Sequence, residues 1–168
     1  AINTLQFSPD TKLLASGASD GRVRIWSTSS GKCIQTISNF INGPVTDVIW
    51  TKSKERKLLA IVFACADGTL QVYVQMTKCF EAVIAIYAHK SSIEGIDYDP
   101  INMRLATAGG GEAKVWNIDS TWSMDLHASE SRNSVTCRSI HFTDQGQSLV
   151  ATYLETSNVS VSSILKSQ

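Results

Sequence analysis

The chain has 168 residues, 15 basic and 15 acidic side chains, and 43 % hydrophobic against 18 % charged residues. That balance excludes a disordered polyelectrolyte, and it offers no general attraction to nucleic acid or to an acidic membrane surface, so neither is expected as a partner. No apolar run approaches the roughly 18–20 residues of a membrane helix, and the run at 60–66 has strand length.

Four cysteines, Cys33, Cys65, Cys79 and Cys137, contain no CxxC pair. A zinc site or a dense disulfide framework is therefore not expected, and the thiols are expected to be reduced and mostly buried. No signal peptide is visible, so an intracellular location is expected and the triplet Asn158-Val159-Ser160 is attributed to chance.

The first element is announced by Ile2, Leu5 and Phe7, an apolar residue, a second three positions on and an aromatic two further. A step of two is the strand period; a step of three breaks it, and one extra residue, a β-bulge, restores the facing. The polar connector Ser8-Pro9-Asp10 leads to a second strand at 13–16. Asp20-Gly21 then signals a hairpin through positive φ values that both residues tolerate, before the alternating run 22–26. A fourth strand fits 33–37.

The same order restarts at Val45, Val48 and Trp50, with strands at 58–61, 69–73 after Asp67-Gly68, and 80–86. It restarts again at Ile93, Ile96 and Tyr98, followed by 105–107, the run Gly109-Gly110-Gly111, 112–116 and a fourth strand at 121–126. The last copy begins at Cys137, Ile140 and Phe142 and continues through 149–152 and 158–161, with no convincing final strand. The four aromatics stand 43, 48 and 44 residues apart. Short antiparallel strands repeating at that period, with no helical periodicity, describe an all-β fold of β-propeller blades of four antiparallel strands. The expected count is three and a half to four blades, at about 1–40, 41–87, 88–128 and 129–168, in one domain that forms an incomplete ring.

These residues resemble the WD-repeat family. Phe7-Ser8-Pro9-Asp10, Leu14-Ala15-Ser16-Gly17, Asp20-Gly21 and Ile25-Trp26 carry the resemblance in the first repeat. Ala88-His89, Tyr98-Asp99-Pro100, Leu105-Ala106-Thr107 and Val115-Trp116-Asn117 carry it in the third. The second and fourth repeats are degenerate. The resemblance implies a polar network inside each blade, formed by a His before the first strand, a Ser or Thr on the second, an Asp in the hairpin and a Trp on the third. Ser16, Asp20 and Trp26 fit it in the first repeat. Asp67 fits in the second, with Ile61 and Tyr73 at the other positions. His89, Thr107 and Trp116 fit in the third, with Gly111 or Glu112 in place of Asp, and only Thr152 fits in the fourth.

Ser16, Asp20 and His89 could be taken for a catalytic triad, but the resemblance puts them in different blades, and no nucleophile elbow is present. Gly109-Gly110-Gly111 precedes a strand rather than a helix, so a shortened hairpin turn is expected instead of a phosphate cradle. His127 and His141 have no ligand partners at useful spacing, and neither a metal nor a cofactor is expected. The cluster Lys52, Lys54, Arg56 and Lys57, broken by Glu55, reads as a solvated connector. Trp122 is either an exposed anchor or a packed fourth-strand residue.

The resemblance also implies that partners bind the face bearing the bulges and the turns. The candidate residues there are the bulge residues Asn3, Thr46, Glu94 and Arg138, with Ser19 and Ala66 beside the turns. In this family rings most often hold about seven blades, so the chain is expected to be part of a longer propeller, or to close by self-association or with missing blades. The expected function is a non-catalytic protein–protein interaction scaffold or adaptor that binds other proteins or peptides. The alternative is a propeller portion of a larger multidomain protein whose activity lies outside this segment.

Overall fold

Among the described residues, alternating side chains and tight turns produce fifteen strands in four antiparallel sheets, each sheet in sequence order. The computed structural model describes residues 1–38, 40–52, 58–132, 134–156 and 158–164. Blade 1 holds β1 (Ile2–Phe7), β2 (Leu13–Ala18), β3 (Arg22–Ser27) and β4 (Cys33–Ser38). Blade 2 holds β5 (Val45–Lys52), β6 (Leu59–Cys65), β7 (Thr69–Gln75) and β8 (Phe80–Tyr87). Blade 3 holds β9 (Ile93–Asp99), β10 (Arg104–Gly109), β11 (Glu112–Ile118) and β12 (Met124–Ser131). Blade 4 holds β13 (Cys137–Thr143), β14 (Ser148–Tyr153) and β15 (Val159–Ser163), a three-stranded sheet among the described residues. Of the basic connector, Lys54, Arg56 and Lys57, with Glu55, lie outside the described residues; Lys52 is exposed at the end of β5.

The first strand of every blade is bulged where the step of three requires it. The pairing registers slip between Ile2 and Thr4, Val45 and Asp47, Ile93 and Gly95, and Cys137 and Ser139. These first strands are the inner ones, and they pack in succession, β1 on β5, β5 on β9 and β9 on β13. The blades form an arc whose ends are not joined, so its core is three separate seams. Val45, Val48 and Trp50 pack on Ala15, Val23 and Ile25. Ile93, Ile96 and Tyr98 pack on Val62, Leu70 and Val72. Cys137, Ile140 and Phe142 pack on Ala106, Ala113 and Val115. Each fully buried Val, Ile or Leu contributes about 1.5–3 kcal/mol, so every blade depends on its neighbours for most of its stability.

Polar side chains tie the seams together. Trp50 donates from its backbone N–H to Gln6 Oε1 (2.8 Å) and from its indole to Gln6 O (2.8 Å). Phe142 N–H donates to Asp97 Oδ2 at 2.7 Å. Asp47 accepts from Thr4 Oγ1 on one side and from the Ile96 N–H on the other, so a single carboxylate links three inner strands. Burial pushes its carboxyl above the usual range, against the pull of those hydrogen bonds.

Several expectations are corrected. In the Asp-Gly hairpins only the glycines are left-handed (Gly21 φ 72°, Gly68 φ 90°). The aspartates instead accept the N–H two residues on, at Arg22 (3.1 Å) and Thr69 (2.9 Å), which fixes the turn without a strained Asp. The fourth strand of blade 3 begins at Met124 rather than 121, because Asp119 Oδ1 accepts from both Thr121 N and Ser123 N and holds 119–123 as a turn. Trp122 lies in that turn with φ 70°, and its side chain is buried against the seam between blades 2 and 3. Cys65 and Cys137 are buried, but Cys33, on the outer strand β4, and Cys79, in the turn before β8, are exposed. None of the four cysteines is in a disulfide.

Candidate protein-binding face

The repeat residues form two kinds of polar arrangement, one inside the blades and one on the bulged face. In blade 3 the Trp116 indole donates to Thr107 Oγ1 (3.0 Å), and Thr107 Oγ1 lies 2.8 Å from His89 Nε2. His89 Nδ1 stands 3.4 Å from Glu112 Oε2, a charge contact without hydrogen-bond geometry. Glu112 in turn pairs with Lys114 (2.8 Å), whose ammonium also donates to Ala88 O. Glu112 thus occupies the acidic place at the hairpin, although it belongs to β11 rather than to the turn.

The His89 ring is buried, and its pKa is lowered to about 4, mainly by desolvation and then by the Lys114 charge, with Glu112 opposing. The neutral ring with its proton on Nδ1 suits this setting: Thr107 O–H donates to Nε2, and Nδ1–H faces the Glu112 carboxylate.

Blade 1 has only part of this arrangement. The Trp26 indole donates to Ser16 Oγ at 2.9 Å. Asp20 is exposed and bonds Arg22 and Arg24 instead, and these hold its carboxyl down to about 2. Ser16, Asp20 and His89 therefore have three different sets of partners.

In blade 2 the register pairs Ile61 with Tyr73, as it pairs Leu14 with Trp26, so the counterpart of Ser16 is Phe63 and not Ile61. Phe63 and Tyr73 stack with centroids 5.5 Å apart where blade 1 has its Trp–Ser bond. Asp67 bonds Asn42 and Thr69, and Asn42 accepts from Gln71 (2.9 Å). In blade 4 the register puts Ala151 in the Ser16 place, and Thr152 instead bonds Ser139 (2.8 Å). Asn42 and Gln71 were missed as network members, and of the two residues offered at the Asp place it is Glu112 that contacts His89; a polar residue mid-strand on an otherwise apolar run was the available signal for Gln71.

The second arrangement is at the bulges. Asn3, Thr46, Glu94 and Arg138, one from each blade, line a single cleft of about 410 Å³ together with Ile2. Each is the extra residue of its bulge, left out of the ladder and free to point away from the sheet. Asn3 donates to Val45 O (2.8 Å) and accepts from Ser19 Oγ (3.0 Å). Glu94 and Arg138 form an ion pair across β9 and β13, with Arg138 the more exposed partner. Thr46 Oγ1 is shielded from solvent and has no hydrogen-bond partner. Ser19 and Ala66 stand beside the cleft rather than in its lining; the Ala66 N–H donates to Pro44 O. Gly110 and Gly111 form the two-residue turn between β10 and β11, and Arg132 O lies where a side chain on Gly111 would go. Among the described residues, no group of three or more His, Cys, Asp or Glu side chains could hold a metal ion. No helix there is long and apolar enough to cross a membrane.

Blades of this build define a β-propeller. Residues 1–27 and 80–117 match the family model "WD domain, G-beta repeat", which supports a propeller of the WD-repeat type. It is 26 % identical over 160 residues to the periodic tryptophan protein 2 homolog of Dictyostelium discoideum, covering 70 % of this chain and 17 % of that protein. The chain spans less than a fifth of the length of the curated relatives it matches. Two solved structures share the fold. The computationally designed Ika4 protein has a TM-score of 0.75 at 21 % identity, with 98 % of this chain and 92 % of that chain covered. The computationally designed Ika8 protein has a TM-score of 0.76 at 20 % identity, with 97 % of this chain and 46 % of that chain covered.

Proposed function

We propose that this chain is a non-catalytic interaction module, intracellular, that engages other proteins or peptides at the bulged face. The observation that carries this reading is the convergence of Asn3, Thr46, Glu94 and Arg138 on one cleft. These four come from four blades, and the exposed Arg138 guanidinium pairs with the half-buried Glu94 carboxylate. An exposed ion pair is worth little in water. A ligand carboxylate can therefore replace Glu94 on Arg138. The favoured ligand is an extended polar segment carrying at least one acidic residue.

Panning the chain against a random peptide library displayed on phage tests this. Selected peptides should contain acidic residues and should bind Arg138→Glu and Thr46→Glu variants at least about tenfold more weakly. Lys32→Glu, exposed just before the outer strand β4, should leave binding unchanged. Peptides that bind all variants alike would refute the cleft as the binding surface. A second reading follows from the relatives' greater length, namely that the segment is the propeller portion of a multidomain protein whose activity resides elsewhere. Panning distinguishes the two, because under that reading no peptide depends on the cleft.

A further inference from the structure

We infer that blade 3 carries a second binding site, separate from the bulge cleft, in which Arg104, Asn117 and His127 hold a phosphate-type oxyanion. Blade 3 has a neighbouring blade packed on each of its sides. Arg104 opens β10, Asn117 stands one residue from the end of β11, and the two are register partners. Two residues further along each strand, the pair Ala106 and Val115 packs in the seam with blade 4, so Arg104 and Asn117 stand on that same face. His127 is the extra residue of a bulge in β12: Trp116 pairs with Leu126 and Val115 with Ala128, and His127 is skipped. Its Nδ1 lies 3.4 Å from Asn117 Nδ2.

Arg104 sets this group apart. The other arginines among the described residues each have a carboxylate: Arg22 and Arg24 pair with Asp20, Arg132 with Glu130 and Arg138 with Glu94. Among the described residues Arg104 forms no ion pair, and its Nε is shielded from solvent without a hydrogen-bond partner. A buried donor left unpaired costs about 1–3 kcal/mol, and more when it is charged. The neighbouring ring adds no counter-charge. Burial first, and the Arg104 charge second, hold the His127 pKa below its ordinary value. A guanidinium without a counter-ion, beside an imidazole that it repels, is relieved by an anion.

The donors suit a tetrahedral oxyanion. With an Asn117 N–H donated to Nδ1, the neutral His127 ring keeps its proton on Nε2. The guanidinium, that Nε2–H and the second Asn117 N–H then offer donors from three strands, matching three oxygens of one phosphate where a carboxylate has two. Asn117 is exposed and Arg104 and His127 are half-buried, so the site is open to solvent at Asn117 and drier at the charge. Two acids lie close in register. Asp99, opposite Arg104, is committed to the Ile101 and Asn102 N–H groups and to the Asn102 side chain. Asp125, opposite Asn117, is exposed and opposes an incoming anion.

The site stands apart from the bulge cleft. Gly109, at the other end of β10 and roughly 17 Å from Arg104, pairs with Ile93 beside the Glu94 bulge. None of the residues altered below lines the cleft, so anion binding and peptide binding succeed or fail separately.

Titration of the isotope-labelled chain with inorganic phosphate, followed by NMR against sodium chloride of equal ionic strength, tests the site. The Arg104 Nε–H and His127 ring signals should shift and saturate with phosphate but not with chloride. Arg104→Gln should abolish the saturable shift at an unchanged circular dichroism spectrum. Arg104→Lys, which keeps the charge and loses the fork, should bind at least about tenfold more weakly. His127→Leu should also weaken binding about tenfold, and Asp125→Asn should tighten it about two- to threefold. Arg24→Gln, at an arginine that has its own carboxylate, should leave it unchanged. An N-acetylated phosphoserine amide, as second probe, separates the two sources of the group. Binding as tight as that of inorganic phosphate assigns the site to phosphorylated side chains, and binding of inorganic phosphate alone assigns it to the free anion. Shifts that chloride reproduces, that never saturate, or that persist in either Arg104 variant at full strength overturn the proposal.

Discussion

At the residue scale, the relay from Trp116 through Thr107 to His89 decides most. Thr107 Oγ1 serves two buried rings at once, accepting from one and donating to the other. Thr107→Val keeps the shape but removes both bonds and leaves an indole N–H and an imidazole nitrogen unpaired. The expected cost is about 2–4 kcal/mol, read as a lower urea midpoint at unchanged slope.

His89 adds a pH dependence whose sign follows from its depressed pKa. Unfolded chains take up a proton on this ring near 6.5, the folded chain only near 4, so stability is lost as pH falls through that window. The loss reaches on the order of 3 kcal/mol at its lower end. A melting temperature that falls from pH 7 to pH 4.5 in the wild type, and falls less in His89→Gln, is the expected result.

This relay and the Trp26–Ser16 bond were legible in the sequence through the family resemblance, which implies a Ser or Thr on the second strand and a Trp on the third, although the pairs stand 10 and 9 residues apart. The Phe63–Tyr73 pair was not, because the partner of residue 73 depends on a register that only the assembled sheet sets.

At the element scale, turns couple one blade to the next. Gly68 has φ 90°, and a side chain placed on it would come 2.0 Å from His89 O, in the loop that leads to β9. Its own carbonyl accepts from both Ala88 N and His89 N. Gly68→Ala therefore strains the backbone and pushes apart a hairpin of blade 2 and the first segment of blade 3. The expected loss is at least about 2 kcal/mol, against about 1 kcal/mol for Gly31→Ala, whose φ is also positive but whose site is open. Equal thermal shifts in the two variants would show that φ alone sets the cost.

Bulged first strands and Asp-Gly turns could be read from the sequence since each is a local pattern. The start of β12 could not, because Asp119 captures two backbone N–H groups that a strand would have used.

At the scale of the whole molecule, stability is a sum over seams, and the seams are not equally shared. Blade 2 is covered on both sides, and residues 60–65 of β6 are fully buried. Blade 1 has a bare front. Blade 4 has a bare back and three described strands. In a linear array each blade opens with a free energy set by the neighbours it must leave, so the terminal blades open first. Amide hydrogen exchange should accordingly be slowest in β6 and its partners β5 and β7, and fastest in β15. Equal exchange in β6 and β15 would mean that the arc unfolds as one unit rather than blade by blade.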